Sequence, residues 1–159
     1  KTLKSGSSVP LRLRALWALR VTGNLDEKKL EGLLQDSSEH LRAWAIQLLC
    51  ENKNPSEAIH EEFVLMAKKD KSPLVRLYLA SAMQRLKVKQ RVPVLKGLLG
   101  HAEDVDDQNL PLMYWYAAEA VVAADKVAAV QLLAACKIPK VRQFITRRMA
   151  TGRDAGKKE

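Results

Sequence analysis

Asp36-Ser37-Ser38-Glu39-His40-Leu41-Arg42-Ala43-Trp44-Ala45-Ile46 is the stretch that decides the fold, and Asp70-Lys71-Ser72-Pro73-Leu74-Val75-Arg76-Leu77-Tyr78-Leu79-Ala80 repeats its plan. Each places an Asp six residues before an Arg, a polar turn between them, and an aliphatic-Arg step that opens a run of apolar residues at helical spacing. The same step is found at Leu13-Arg14, at Leu112-Met113 with Met in place of Arg, and at Val141-Arg142. The five sites lie 28, 34, 37 and 29 residues apart, periods typical of stacked helical hairpins. The residues six before them are Ser8, Asp36, Asp70, Asp107 and Cys136, so only two units carry the complete pattern.

Proline placement gives the rest of the organisation. Pro disrupts a helix interior and is tolerated in the first turn. Pro10, Pro55, Pro73, Pro111 and Pro139 each precede or open a helical pattern, and Pro93 is expected in the first turn of another. Asn24 with Glu27, Asn54 before Pro55, and Ser72 before Pro73 supply capping chemistry at these boundaries. The expected helices are 9–22, 25–35, 38–52, 55–69, 73–87, 88–100, 109–123, 125–136 and 139–151. The fold class is therefore all-α, a right-handed α-α superhelix of about nine short antiparallel helices. Residues 9–151 form a single repeat domain, 1–8 an edge segment without fixed structure, and 152–159 a basic flexible tail or linker.

Composition agrees. Leu and Ala outnumber Val and Ile by 44 to 17 among 159 residues, which favours helix over strand. The longest apolar runs, such as Val121 to Ala124, fall far short of the roughly 20 residues of a membrane span. A start at Lys1 rather than Met is expected of a piece of a longer protein. The formal charge of +9 is uneven. Residues 1–24 carry five bases and no acid, 137–159 eight bases and two acids, and the middle 14 bases against 16 acids. A surface that tracks phosphates unit by unit would need bases in every repeat, so this distribution argues against a nucleic-acid footprint.

The Asp and Arg spacing resembles the HEAT repeat family, in which a helical hairpin carries Asp in its inter-helix turn and Val/Leu-Arg at the start of its second helix. The resemblance implies a hydrogen-bonded ladder along the stack, with Asp36, Arg42, Asp70 and Arg76 as structural residues, and a concave surface made by the second helices. Met113 interrupts that ladder. More narrowly, LRLRALWALR, DSSEHLRAWAIQLL, DQNLPLMYWYAAEAVV and KIPKVRQFITRRMA look like the helical-repeat segment of large haem-binding, membrane-bound dehydrogenase-like proteins of PVC-group bacteria. Those proteins place a propeller before the repeats and a CxxCH cytochrome module after them. The resemblance implies a periplasmic or exported setting and a protein-interaction or spacer role, with flanking domains or a protein as partner.

Candidate catalytic motifs fail on single residues. His60-Glu61-Glu62-Phe63-Val64 begins like HExxH, but Val64 stands where the second zinc ligand is required. Glu103, Asp104, Asp106 and Asp107 lack the glycine turn and closing Glu of a calcium loop, and acids suit the N-terminus of the following helix. Cys50 and Cys136 are isolated and read as buried apolar residues; His40, His60 and His101 read as solvated or capping. No enzyme activity, metal or cofactor is expected within these residues. Tyr114-Trp115-Tyr116 is the candidate partner-binding site, with Glu119 one turn on, because three adjacent helical side chains point about 100° apart and cannot all face a core. Trp17 and Trp44 are expected in the core. The alternative function is a nucleic-acid-binding module of the DNA-glycosylase kind, with Arg14, Arg42 and Arg76 on its basic face; a tetrapyrrole lyase has only fold analogy behind it.

Overall fold

The computed structural model describes residues 8–51 and 55–151. Residues 1–7 and 152–159, which cover the expected edge segment up to Ser8 and the expected basic tail, lie outside the described residues, as does the cap proposed at Asn54. The described residues contain no strand. They form α1 (Val9–Val21), α2 (Glu27–Leu33), α3 (Glu39–Leu49), α4 (Glu57–Lys69), α5 (Pro73–Met83), α6 (Val88–Leu98), α7 (Leu110–Ala124), α8 (Lys126–Ala135) and α9 (Pro139–Thr151), with a 3-10 turn at Ala102–Asp104. All nine expected helices are present.

Local chemistry sets the boundaries. Ser72 accepts a hydrogen bond from the Val75 amide at the start of α5, and Asp125 accepts from Val127 and Ala128 at the start of α8. Helix α2 is capped by Asp26, which accepts from the Lys29 amide, and not by Asn24, whose side chain turns back to Thr22. Pro93 also departs from expectation. Helix α6 begins at Val88, where the Lys87 amide donates to Gln90 Oε1 at 3.2 Å, so Pro93 lies inside the helix and leaves the Lys89 carbonyl without its usual partner.

The helices form an all-α superhelical stack of two layers. In one, α1, α3, α5, α7 and α9 pack in succession; in the other α4, α6 and α8 do, and the hairpins α2–α3, α4–α5, α6–α7 and α8–α9 join the layers. Between the layers Leu34, Leu41, Ile46, Ile59, Phe63, Leu79, Leu95, Leu98 and Tyr114 are fully buried. Small residues set the close approaches. A Cβ placed on Gly97 of α6 would stand 2.9 Å from Ala67 Cβ of α4, so the two helices are in near-backbone contact there.

A ladder of ion pairs runs beside this core. Arg42 donates through Nε and Nη2 to the two Asp70 oxygens at 2.8 and 3.0 Å, while its Nη1 donates to the Asp36 carbonyl at 2.8 Å. Arg76 repeats the arrangement with Asp104 and the Asp70 carbonyl. Each Arg thus clamps the turn of its own hairpin and the carboxylate of the next. Asp36 and Asp70 each also accept the amide two residues on, from Ser38 and Ser72, which fixes the turn.

Two rungs differ from the sequence expectation. The first uses Arg12, buried against Asp36, while Arg14 is exposed; LRLR offers two aliphatic-Arg steps and spacing alone does not choose between them. The fourth unit supplies Asp104, not Asp107. Residues 105–109 are inserted between the 3-10 turn and α7, and Asp107 caps that helix by accepting from Asn109 and Leu110. At the position next to Met113, Tyr114 donates its hydroxyl to Asp104 at 2.6 Å and closes the ladder with a neutral group.

Replacing Arg76 by Ala strands the Asp104 carboxylate, 3% exposed, and is expected to cost about 3–5 kcal/mol by urea denaturation. Removing the exposed Lys29–Asp26 pair by Lys29→Ala should leave the urea midpoint nearly unchanged, because solvent screens the pair. Gly97→Ala is expected to destabilise by about 1–3 kcal/mol through overpacking, whereas Gly32→Ala, with nothing within 4 Å of the added carbon, should stabilise α2 by up to about 1 kcal/mol. Burial alone raises the Asp36 carboxyl, but Arg12 and the Ser38 amide outweigh it, so the group titrates below its ordinary 3.8. A carboxyl lowered in the fold contributes stability above its unfolded pKa and loses it as pH falls through the folded one. The urea midpoint should hold steady from pH 6 to 5 and drop below pH 4, with a shallower drop in Arg12→Gln.

Candidate functional site

The ladder arginines set the register of a row of aromatics. Two residues after Arg42, Arg76, Met113 and Arg142 stand Trp44, Tyr78, Trp115 and Phe144. Helical geometry turns this position away from the inter-layer core, so the rings line the outer face of the α3, α5, α7 and α9 layer. Trp17 of α1 extends the row: its ring meets Trp44 at 5.3 Å with an interplanar angle of 74°, and Trp44 meets Tyr78 at 6.4 Å and 55°. Trp115 and Phe144 form a second pair at 5.5 Å.

Between these two groups lies a groove of about 580 Å³. Helix α3 contributes Trp44 and Gln47, α5 contributes Leu77, Tyr78 and Ser81, and Leu112, Met113 and Tyr116 close it from α7 with Asn109 at the helix start. No lining residue is charged. Gln47, with its amide oxygen toward Arg85 at 2.6 Å, ties the groove floor to the turn that follows α5. Tyr116 is 51% exposed at the rim. The groove sits at the junction of the third and fourth units, where the 105–109 insertion lengthens the repeat.

The expected partner-binding quartet divides. Tyr116 is in the groove. Trp115 is half-buried against Phe144, and Glu119 is exposed with its carboxylate 3.9 Å from Arg148 of α9, outside the groove. Tyr114 is a correction: it is fully buried, its hydroxyl spent on Asp104, and burial together with that carboxylate raises its pKa. Trp17 and Trp44 are corrections in the opposite direction. Trp17 is 41% exposed, and Trp44 is half-buried with one side on the groove. The recurring aromatic two residues after the ladder Arg is the signal that would have identified Trp44 and Tyr78.

The remaining candidates stand apart from the groove. His60 is buried, not solvated, with Nε2 on the Gln90 carbonyl at 2.6 Å; it ties α4 to α6. His101 bridges the Ala67 carbonyl at 2.9 Å and Glu103 at 2.6 Å, which lowers the Glu103 pKa. Of the four acids of 103–107, Glu103 pairs with His101, Asp104 serves the ladder, Asp107 caps α7 and Asp106 is exposed. Among the described residues no group of three His, Cys, Asp or Glu is placed to hold a metal ion, and no helix is long and apolar enough to cross a membrane. Cys50 and Cys136 are buried, and burial pushes the Cys50 thiol up to about 12, which leaves it unreactive at neutral pH. Of the arginines that a basic face would need, Arg42 and Arg76 are occupied by carboxylates and Arg14 is exposed.

What the groove can do chemically is bind. It offers aromatic faces, a thioether and a few neutral hydrogen-bonding groups, with no nucleophile paired to a base. No family model, curated protein or solved structure matches the chain.

Proposed function

We propose that this chain is a non-catalytic protein-interaction scaffold of the HEAT-like kind, whose groove between α3, α5 and α7 seats apolar side chains of a partner protein. The observation that carries this reading is a concave apolar site with exposed Tyr116 and no charged lining. Tyr, Trp and Met are enriched at interaction hot spots and in adaptable binding surfaces. The carboxylate-bound ladder arginines and the uncharged groove both count against the nucleic-acid alternative, because phosphate contact requires free cations. The PVC-group resemblance supports placing the scaffold inside a larger exported haem-containing protein, as a spacer that also docks flanking domains.

Peptides selected from a random 12-residue display library on the wild-type chain are expected to bind at the groove. Tyr116→Ala and Met113→Ser should each weaken a selected peptide at least about tenfold while leaving helical circular dichroism unchanged. Selected peptides that keep full affinity for both variants would place the contact surface elsewhere. A gel-shift titration with duplex DNA at two salt concentrations gives no retained band on this reading; a retained band with a steep salt slope would favour the nucleic-acid alternative.

A further inference from the structure

The α8–α9 hairpin repeats the ladder stance, with no acceptor for its outward half among the described residues. Arg142 donates Nη1 to the Cys136 carbonyl six residues back at 3.0 Å, as Arg42 does to Asp36 and Arg76 to Asp70. In those two the Nε–Nη2 edge then grips a carboxylate 28 residues further on. Arg142 is exposed, and among the described residues that edge has no acceptor. Beside it, α8 and α9 present a shallow apolar pocket formed by Val130, 55% exposed, with Leu133 and Met149. This is the surface that, in each earlier hairpin, the following one covers.

Charge selects the occupant. Residues 126–151 contain six bases and no acid. Of these, Lys126 lines the pocket, Arg142 stands beside it and Arg148 turns to Glu119 of α7, so two such end faces would bring only like charges together, and the sequence position six before Arg12 is Gly6, which has no carboxylate. We propose that the end face of α8 and α9 docks an acidic helical hairpin of a partner protein, packed as a further unit of the stack, whose turn carboxylate is gripped side-on by Arg142. A planar guanidinium edge matches a carboxylate geometrically, which distinguishes this site from a diffuse attraction to polyanions. The proposal is independent of the groove.

The chain itself supplies a probe. A synthetic peptide of residues 86–124 has Glu103, Asp104, Asp106 and Asp107 in its turn. It is titrated into the full 159-residue chain by calorimetry, and in a parallel protein it replaces residues 152–159 after Thr151. That fusion sets the copied Asp104 28 residues beyond Arg142, the native Arg76 to Asp104 interval. Arg142→Gln in the chain and Asp104→Asn in the peptide should each weaken binding at least about tenfold, with no further loss when combined, while Lys140→Gln changes it less than about threefold. The fusion should raise the melting temperature by about 4 °C or more, and Arg142→Gln should cancel most of the gain. The proposal is overturned by absence of binding in solution together with no gain in the fusion, or by equal losses in Arg142→Gln and Lys140→Gln. Tighter binding to a duplex oligonucleotide or to phosphatidylglycerol vesicles than to the peptide would also overturn it, in favour of a polyanion surface.

Discussion

The bidentate arginine-carboxylate contact between neighbouring hairpins is the constraint on which the other features depend. Hydrophobic contact between helices is non-directional and leaves their sliding and rotation weakly specified. A guanidinium that holds its own turn carbonyl and the next carboxylate removes that freedom, because both hydrogen-bond directions must be met together. Once Arg42 and Arg76 are fixed, positions one and two residues later are fixed with them. Ala43 is then in the core and Trp44 on the outer face.

Much of this was legible in the sequence, and the reasons are particular. Capping residues and prolines act locally, so the helices were readable from residues such as Ser72 and Pro73. Ladder residues were readable wherever the six-residue spacing held, at Asp36–Arg42 and Asp70–Arg76. It failed where an insertion separated Asp104 from α7, because spacing rules assume a constant loop. It failed again at Arg12 and Arg14, where two equivalent steps differ only in burial. The orientation of three successive aromatics at 114–116 needs the helix phase, which follows from the same displaced turn. Taking Met113 as the ladder position puts Tyr114 next to Asp104, and no spacing argument supplies that contact.

The groove follows from the same irregularity. A repeat of constant length would continue the ring contacts from Tyr78 onward, and the aromatic surface would be closed by its own packing. The longer fourth unit leaves Tyr78 and Tyr116 on opposite sides of an opening. A departure from periodicity thus accompanies a part of this face that combines depth, aromatic walls and absence of charge.

The neutral rung at Tyr114 has a mechanical meaning as well. Units of a stacked array are coupled mainly to their neighbours, and the strength of each junction sets how far an opening event spreads. Up to Asp104 every junction has an ion pair in addition to apolar contact. Beyond it, Met113 and Cys136 stand where the ladder would place Arg and Asp, and α7 meets the α8–α9 hairpin through packed side chains and the exposed Glu119–Arg148 pair at 3.9 Å in place of a buried rung, with the Lys137 amide donating to the Leu99 carbonyl at 2.8 Å as a tie to α6. The seam between α7 and the α8–α9 hairpin therefore takes its register from the fit of apolar side chains and not from a buried charge pair, so a change of side-chain volume there can shift the hairpin where the earlier junctions would hold their angle.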